Sequence, residues 1–332
     1  MRAARCEEYG GPGNVVIRDV PNPVVTPGHV VVDVAAAAVN FPDLLFIANR
    51  YQVPAPLPFT VGSEFAGRVA AVGEGVTGLS VGDPVHGSVF TGAMAEQVLA
   101  PARSVSPIPE GLSMVEAAAF RVTYLTAYHA LVTAGELERG QWVAVLGAAG
   151  GVGSATIDVA VRLGARVIAA ASSPERLAVC KELGAEAGID YVKEDLKQRI
   201  RDITGDGADL VVDPVGGRWA EPALRAVRWG GRFVTVGYAD GDIPRIPLNV
   251  LLLKNISVRG IELRTWTERL PEETTRARGA LADLVTRGMR PAVSETHQLE
   301  DVAVALQRVS SRAATGKVVI RVAQAGARTT GA

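Results

Sequence analysis

Trp142-Val143-Ala144-Val145-Leu146-Gly147-Ala148-Ala149-Gly150-Gly151-Val152-Gly153 is the stretch that decides the fold. The apolar residues Trp142–Leu146 predict a strand, the glycines a tight turn, and Gly153–Leu163 a helix. A helix that opens on such a turn presents free N–H groups and the positive end of its dipole, which suits a pyrophosphate. Ala149, Gly150, Gly151 and Val152 are therefore candidate phosphate-binding residues. Gly150 lets the backbone approach the phosphates, and Gly153 lets helix and strand pack closely. Ala148 occupies the first position of the G-x-G-x-x-G spacing, a mild departure because alanine is also small. A plain tight turn is the alternative; strand, turn and helix together favour the nucleotide.

Downstream of this stretch, strands alternate with helices. Strands are expected at Arg166–Ala171, from Ile189, at Leu210–Asp213 and at Arg232–Val236; helices at Pro174–Leu183, Glu194–Thr204 and Trp219–Ala226. Such alternation implies a doubly wound α/β domain, a parallel sheet with helices on both faces. A further strand (Ile256–Gly260), helix (Glu272–Thr286), strand near Ser294, helix (Leu299–Ser310) and strand (Lys317–Val322) follow, and Ala323–Ala332 reads as a frayed tail. The end of the second strand selects the cofactor. A site for NAD needs Asp or Glu there, about 20 residues beyond the glycines, to hold the ribose hydroxyls. This chain has Ala169-Ala170-Ala171-Ser172-Ser173, with no acid to repel a 2′-phosphate. Ser172 and Ser173 can donate hydrogen bonds, Arg176 can supply charge, and Tyr191 can close the adenosine side. The cofactor expected is NADPH.

Upstream, the rhythm differs. Val15–Val20, Val30–Ala38, Ala66–Val72 and Glu96–Ala100 are short segments rich in Val and Ala, separated by closely spaced turn signals. They predict a partly closed antiparallel sheet. Ser113 is placed to cap a helix from Met114, with Glu116 at its third position, and Thr123–Ala134 is expected to be helical. The 332 residues suit two domains. The net charge of −1, with no basic block, argues against nucleic acid or an acidic membrane as partner. Two distant cysteines, Cys6 and Cys180, make neither a disulfide framework nor a four-thiolate zinc site. The N-terminal residues lack the apolar core of a signal peptide, so a cytoplasmic protein is expected.

Several motifs now stand in one order: Val39-Asn40-Phe41-Pro42-Asp43, Tyr51 through Leu57-Pro58-Phe59 to Gly62-Ser63-Glu64-Phe65-Ala66-Gly67, Thr126-Ala127-Tyr128-His129-Ala130-Leu131, the glycine turn, Val212-Asp213-Pro214-Val215-Gly216-Gly217 and Gly316-Lys317-Val318-Val319. In this order the chain resembles the zinc-independent quinone oxidoreductases of the medium-chain dehydrogenase/reductase superfamily. The resemblance implies a GroES-like, partly open β-barrel catalytic domain (1–118 and 255–332) around an inserted Rossmann nucleotide domain (119–254), and a homodimer formed through edge strands, here Arg245–Val258. Zinc-dependent relatives carry a Cys in the segment matching Asn40 and a His within Gly-His-Glu. Here Gly62-Ser63-Glu64 stands instead, and His29, His86, His129 and His297 show no ligand spacing, so no catalytic metal is expected.

Without a Lewis acid, the acceptor must hold developing negative charge on its own oxygen, as a quinone or an enone does, helped by hydrogen-bond donors and a proton source. The resemblance makes Asn40 a donor, Asp43 its orienter or a contact on the nicotinamide ribose side, Tyr51 a proton donor, and Thr126 a neighbour of the nicotinamide or an ordinary helix residue. Val236, Gly237 and Tyr238 would bring backbone atoms to the carboxamide, and Asn249 and Lys317 are weaker cofactor candidates. Tyr51 can equally be a packed aromatic, and Lys317 and Asn249 purely structural. Phe46, Tyr51, Phe90, Tyr124 and Glu262–Trp266 are expected to shape the pocket. Gly260-Ile261-Glu262-Leu263-Arg264 departs from relatives; Glu262 and Arg264 would line a polar substrate mouth or pair at the surface. The leading expectation is quinone reduction. Reduction of activated C=C bonds in enones, alkenals or enoyl thioesters is the alternative, and a non-catalytic NADPH-binding structural or sensor protein is the third.

Overall fold

The computed structural model describes residues 1–322; the tail expected over 323–332 lies outside the described residues. The chain divides into two compact units, Met1–Val122 with the segment from Arg290 onward, and Thr123–Met289.

The second unit is built on the opening stretch. Trp142–Leu146 is a strand at the centre of a six-stranded parallel sheet, in the order 187–190, 166–171, 142–146, 208–213, 227–235, 257–260. Val143, Ala144, Val145 and Leu146 are fully buried on both faces, the pattern of a parallel strand covered by helices. The order reverses at this strand, because its successor Arg166–Ala171 lies on one side and Ala208–Asp213 on the other. The glycine turn thus sits at the carboxyl end of a topological switch point, where open α/β sheets bind ligands.

Two boundaries need correction. The inserted segment does not end at 254. Ser257–Gly260 adds to the same sheet, with Arg232 opposite Ser257 and Thr235 opposite Gly260, and the helices Leu263–Arg269 and Pro271–Thr286 complete the unit to Met289. Burial of Ile256 and Ile261 on either side anchors this strand. The continuous strand expected over Arg245–Val258 is instead a helix, Leu248–Lys254, followed by the short strand. Asn255 takes the left-handed conformation at φ 52°, ending the helix as such residues do.

The first unit carries a mostly antiparallel seven-stranded sheet. His29–Ala38 lies between Glu64–Val72 and Lys317–Arg321 and also pairs with Gln97–Pro101. The C-terminal strand therefore returns beside the N-terminal half, with Val319 opposite Ala38. A second sheet sets Arg2–Cys6 between Val15–Asp19 and Phe59–Thr60. The helix Met114–Ala118 has the expected cap: Glu116 N–H donates to Ser113 Oγ at 3.3 Å, and Ser113 N–H to Glu116 Oε2 at 2.8 Å. The helix expected over Thr123–Ala134 is Arg121–Tyr128, continued by a π-helical turn at His129–Thr133. Among the described residues no helix is long and apolar enough to cross a membrane.

Candidate active site

The glycine turn leads into the helix Gly151–Arg162, whose N-cap is Gly150 and whose first turn no side chain caps. Capless helix starts leave N–H groups for a ligand. The two flanking glycines are there for space. A Cβ on Gly153 would lie 2.3 Å from Gly147 O and 2.7 Å from Ala148 Cα, so only glycine allows this helix to start so close to its strand. On Gly150, by contrast, the nearest atom to a Cβ is Gly147 O at 3.2 Å, which leaves its outer side open to an incoming group. Ala149, Gly150, Gly151 and Val152 line up along this start, as a pyrophosphate needs.

At the end of the neighbouring strand Arg166–Ala171, Ser172 is exposed and Ser173 caps the next helix, accepting from Arg176 N–H at 3.4 Å. Tyr191 continues the edge strand, donating its N–H to Ala171 O at 3.1 Å. Its ring meets that of Trp219 at 4.6 Å, an aromatic wall not anticipated from the sequence. The acid on that edge, Asp190, is 6% exposed and turned inward, where Oδ1 accepts from Val192 N–H at 3.2 Å. On the other side of the switch point, Val236 N–H donates to Asp213 O at 2.8 Å, and Ala239 and Asp240 bond to Pro214 O and Val215 O. Gly237 and Tyr238 belong to this laced loop. Asp213 holds it from beneath: its buried Oδ1 accepts from Val215 and Gly216 N–H, each at 2.8 Å, and burial pushes its carboxyl up to about 6. Asn249 is exposed on the helix Leu248–Lys254.

In the first unit, Asn40, Asp43, Glu64 and Lys317 form one buried polar cluster, with Ser63 at its edge. Asn40 is the N-cap of the helix Phe41–Ile47, and its N–H donates to Asp43 Oδ2 at 2.8 Å. Its amide is fully engaged: Nδ2 donates to Glu64 Oε2 at 3.0 Å, and Oδ1 accepts from Lys317 Nζ at 2.6 Å. Lys317 Nζ also donates to Val39 O and Glu64 Oε2, both at 3.2 Å. The far oxygen of Glu64 accepts from Val122 N–H at 2.7 Å. Glu64 and Lys317 are 0% and 3% exposed, and a buried pair survives only with such complete hydrogen bonding. Asp43 is left without a counter-charge of its own. Burial pushes its carboxyl up to about 7, against the pull of the Asn40 N–H, the Ser63 hydroxyl and Lys317 and with added repulsion from Glu64.

The placement changes several expectations. The Asn40 amide faces inward, bound to Glu64 and Lys317. Lys317 belongs to this cluster in the first unit. The Tyr51 ring meets that of Phe46 at a tilt, 4.4 Å between centres, and Phe46 meets Phe90 edge to face at 4.7 Å, so three expected pocket residues form one aromatic group. Tyr124 does not line a pocket. It is 2% exposed, and its hydroxyl donates to Asp158 Oδ2 at 2.9 Å. Thr126 is buried on the helix Arg121–Tyr128. Glu262 caps the helix Leu263–Arg269 by accepting from Thr265 N–H at 2.8 Å, a structural duty. Glu64, absent from the expected site, turns out to be its hub. Its position two residues after Gly62 in a strand-forming run was the available signal, but its partner Lys317 lies 253 positions away. Among the described residues no group of three or more His, Cys, Asp and Glu could hold a metal ion.

Two family models match the chain: Alcohol dehydrogenase GroES-like domain over residues 26–110 and Zinc-binding dehydrogenase over 151–278. Fold and site together define an oxidoreductase of the medium-chain dehydrogenase/reductase superfamily. The quinone oxidoreductase-like protein 2 homolog of Nematostella vectensis is 37% identical over 329 residues, covering 97% of this chain and 89% of that protein. The quinone oxidoreductase of Thermus thermophilus, solved also with NADPH, has 36% identity and a TM-score of 0.84 over 97% of this chain and 100% of its own. The Escherichia coli quinone oxidoreductase complexed with NADPH has 27% identity and a TM-score of 0.91 over the same shares, 97% and 100%. The chain belongs to the quinone oxidoreductase family.

Proposed function

We propose that this chain binds NADPH and passes its hydride to a quinone, without a metal. The observation that carries the reading is the uncapped glycine-turn helix at the switch point, beside a ribose position with no outward-facing acid at Ser172 or Ser173. Relatives of known structure, from Thermus thermophilus and Escherichia coli, hold NADPH. Ala149 to Val152 would hold the pyrophosphate, Ser172, Ser173, Arg176 and Tyr191 the adenosine ribose and its 2′-phosphate, and Val236 to Tyr238 the carboxamide. Asn249 and Lys317 would act indirectly, through their own units. The bound dihydronicotinamide supplies the hydride; this chain supplies orientation and a proton. Asn40 and Asp43 order the start of the helix Phe41–Ile47, Thr126 flanks the nicotinamide, and Tyr51 with Phe46 and Phe90 offers an aromatic surface for a flat acceptor. Ser63 in Gly62-Ser63-Glu64, where zinc-dependent relatives carry a His, supports a metal-free reaction. The reading also takes the protein to be cytoplasmic and a homodimer; the exposed Leu248, Leu252 and Leu253, shortly before the last strand of the sheet, support the dimer.

The test is steady-state oxidation of NADPH with a quinone and with an enone, in the presence and absence of a chelator. Quinone turnover with NADPH at least tenfold better than with NADH, unaffected by chelation, is expected. Preference for the enone would move the substrate class to activated C=C bonds. Tight NADPH binding with no turnover of either acceptor would make the chain a binding protein. Placing a carboxylate at the ribose with Ser172→Asp is expected to weaken NADPH binding about tenfold, some 1.4 kcal/mol, and to spare NADH.

A further inference from the structure

The second unit gathers charge outside the residues assigned to NADPH. A cleft of about 630 Å³ opens between the start of the helix Leu196–Thr204, the helix Gly217–Arg225 and the loop at 242–245. Lys197, Arg218, Arg225 and Arg245 line it, against Asp195, Glu221 and Asp242. Part of this charge is spent locally. Glu221 Oε1 holds Arg225 Nη2 at 2.8 Å, and Asp195 Oδ1 caps its helix by accepting from Gln198 N–H at 2.8 Å. Lys197, Arg218 and Arg245 make no hydrogen bond or ion pair with any described residue; the Arg218 guanidinium lies over the Trp219 ring, 4.5 Å from its centre. Two more cations stand at the far end of the helix Gly217–Arg225. Arg201 Nη2 and Lys254 Nζ both donate to Arg225 O, each at 3.1 Å. Burial and the neighbouring Arg201 and Lys197 push the Lys254 ammonium down, against the pull of Asp206. Like charges gathered in this way repel one another, and an anion between them removes that cost.

We propose that this cleft binds a small phosphorylated molecule, a diphosphate group held by Arg218 and Arg245 with Lys197 beside them. The three cations come from three different elements, so they surround a ligand instead of lining one helix. A guanidinium fork matches two phosphate oxygens, and a stack on an aromatic ring holds it ready, as Trp219 holds Arg218. A lone carboxylate would satisfy one of these groups; two linked phosphates carry charge and oxygens for three. The volume takes a diphosphate with a sugar attached. The whole chain has a net charge of −1, so the positive patch is local, sized for a small ligand and not for a nucleic acid. None of the residues proposed to hold NADPH lines the cleft. It does enclose a joint of the unit: Gly217 N–H donates to Asp242 O at 3.0 Å, tying the helix start to the loop that follows Val236, Gly237 and Tyr238. An anion spanning Arg218 and Arg245 spans that tie as well. Binding here makes and breaks no covalent bond and is independent of the acceptor that the chain reduces.

The test is calorimetric titration of inorganic pyrophosphate into protein saturated with NADPH, at low ionic strength and with no phosphate or sulfate in the buffer. One pyrophosphate per chain is expected, with a dissociation constant below about 1 mM that weakens as salt is added. Arg218→Gln combined with Arg245→Gln should weaken it by at least about tenfold, while NADPH affinity and melting temperature stay unchanged. Lys197→Gln alone should weaken it about threefold. Arg18→Gln combined with Arg276→Gln, which removes two exposed charges elsewhere, should leave it unaltered. No binding beside NADPH at about 1 mM pyrophosphate, or equal losses in the two double variants, overturns the proposal. Should NADPH itself fail to bind, the reading of the chain as a reductase falls, and the same titration of the free protein and its two double variants still decides the cleft.

Discussion

At the scale of single residues, the buried acid Asp43 has a consequence for stability. Its carboxyl is raised from 3.8 to about 7 in the folded protein, chiefly by burial. Between these values the folded state holds a proton that the unfolded chain releases. The contribution of Asp43 to stability is therefore greatest below pH 4 and is lost as pH rises through about 7, a window of roughly three pKa units or on the order of 4 kcal/mol. Asp43→Asn cannot ionise, and its amide oxygen can still accept from Asn40 N–H. The variant should thus gain in melting temperature over the unaltered protein at pH 8 by clearly more than at pH 5. Equal differences at the two pH values would show that Asp43 is ionised throughout. Gly153 makes the opposite kind of prediction, about space. With only 2.3 Å between a Cβ and Gly147 O, Gly153→Ala should cost about 1–3 kcal/mol in denaturant unfolding. It should also weaken NADPH binding, because relief can come only by moving the helix start. A variant as stable as the original would mean the turn has slack that these distances deny.

Among elements, one tie deserves a measurement. The helix Gly151–Arg162, which starts at the glycine turn, carries Asp158 and Arg162 one turn apart. Asp158 accepts from Tyr124 Oη at 2.9 Å and from Arg162 Nε at 2.7 Å, and Arg162 reaches Gly288 O at 3.2 Å. This links the first helix of the unit and its last loop to the nucleotide helix. Tyr124→Phe removes one donor from a buried carboxylate and should cost about 1–2 kcal/mol. In a double-mutant cycle with Asp158→Asn, a coupling near 1 kcal/mol is expected; additive losses would show that the bond contributes nothing. Only half of this tie is legible in the sequence. The Asp158–Arg162 spacing announces itself, but Tyr124 lies 34 positions from Asp158 and looks like any pocket aromatic. The same rule separates the local features from the long-range ones. Trp142–Leu146, Arg166–Ala171 and the Ser113 cap depend on neighbours in the chain, and their expected positions coincide with the structure. The Lys317–Glu64–Asn40 cluster depends on strands paired across the whole length of the chain, and no local pattern encodes it. Leu248–Lys254, five of whose seven residues are apolar, fits a strand as well as a helix, and Asn255 ends it only by adopting a positive φ.

For the whole molecule, the segment 245–258 is where assembly is expected. The helix Leu248–Lys254 exposes Leu248, Leu252 and Leu253 at 72%, 83% and 72%, and Ile243 just before it at 73%. Scattered apolar residues on a surface are ordinary, but four within eleven positions, beside a strand edge, are a patch that water does not favour. Among the described residues the strand Ser257–Gly260 is last in its sheet, so one row of its backbone groups has no described strand beside it. A twofold partner would pair this edge with its own copy and cover the leucines of both chains, joining two six-stranded sheets into one of twelve. Sedimentation should give a dimer at micromolar concentration. Leu252→Glu combined with Leu253→Glu should shift it to monomer, because each charge would be buried at the twofold contact. NADPH affinity tests whether assembly matters to the cofactor: two strands, Ala208–Asp213 and Val227–Thr235, separate Trp142–Leu146, which leads into the glycine turn, from this edge, so the monomeric variant should bind NADPH with unchanged affinity. If the double variant remains a dimer, the leucines face solvent in the assembly and another surface holds the copies together.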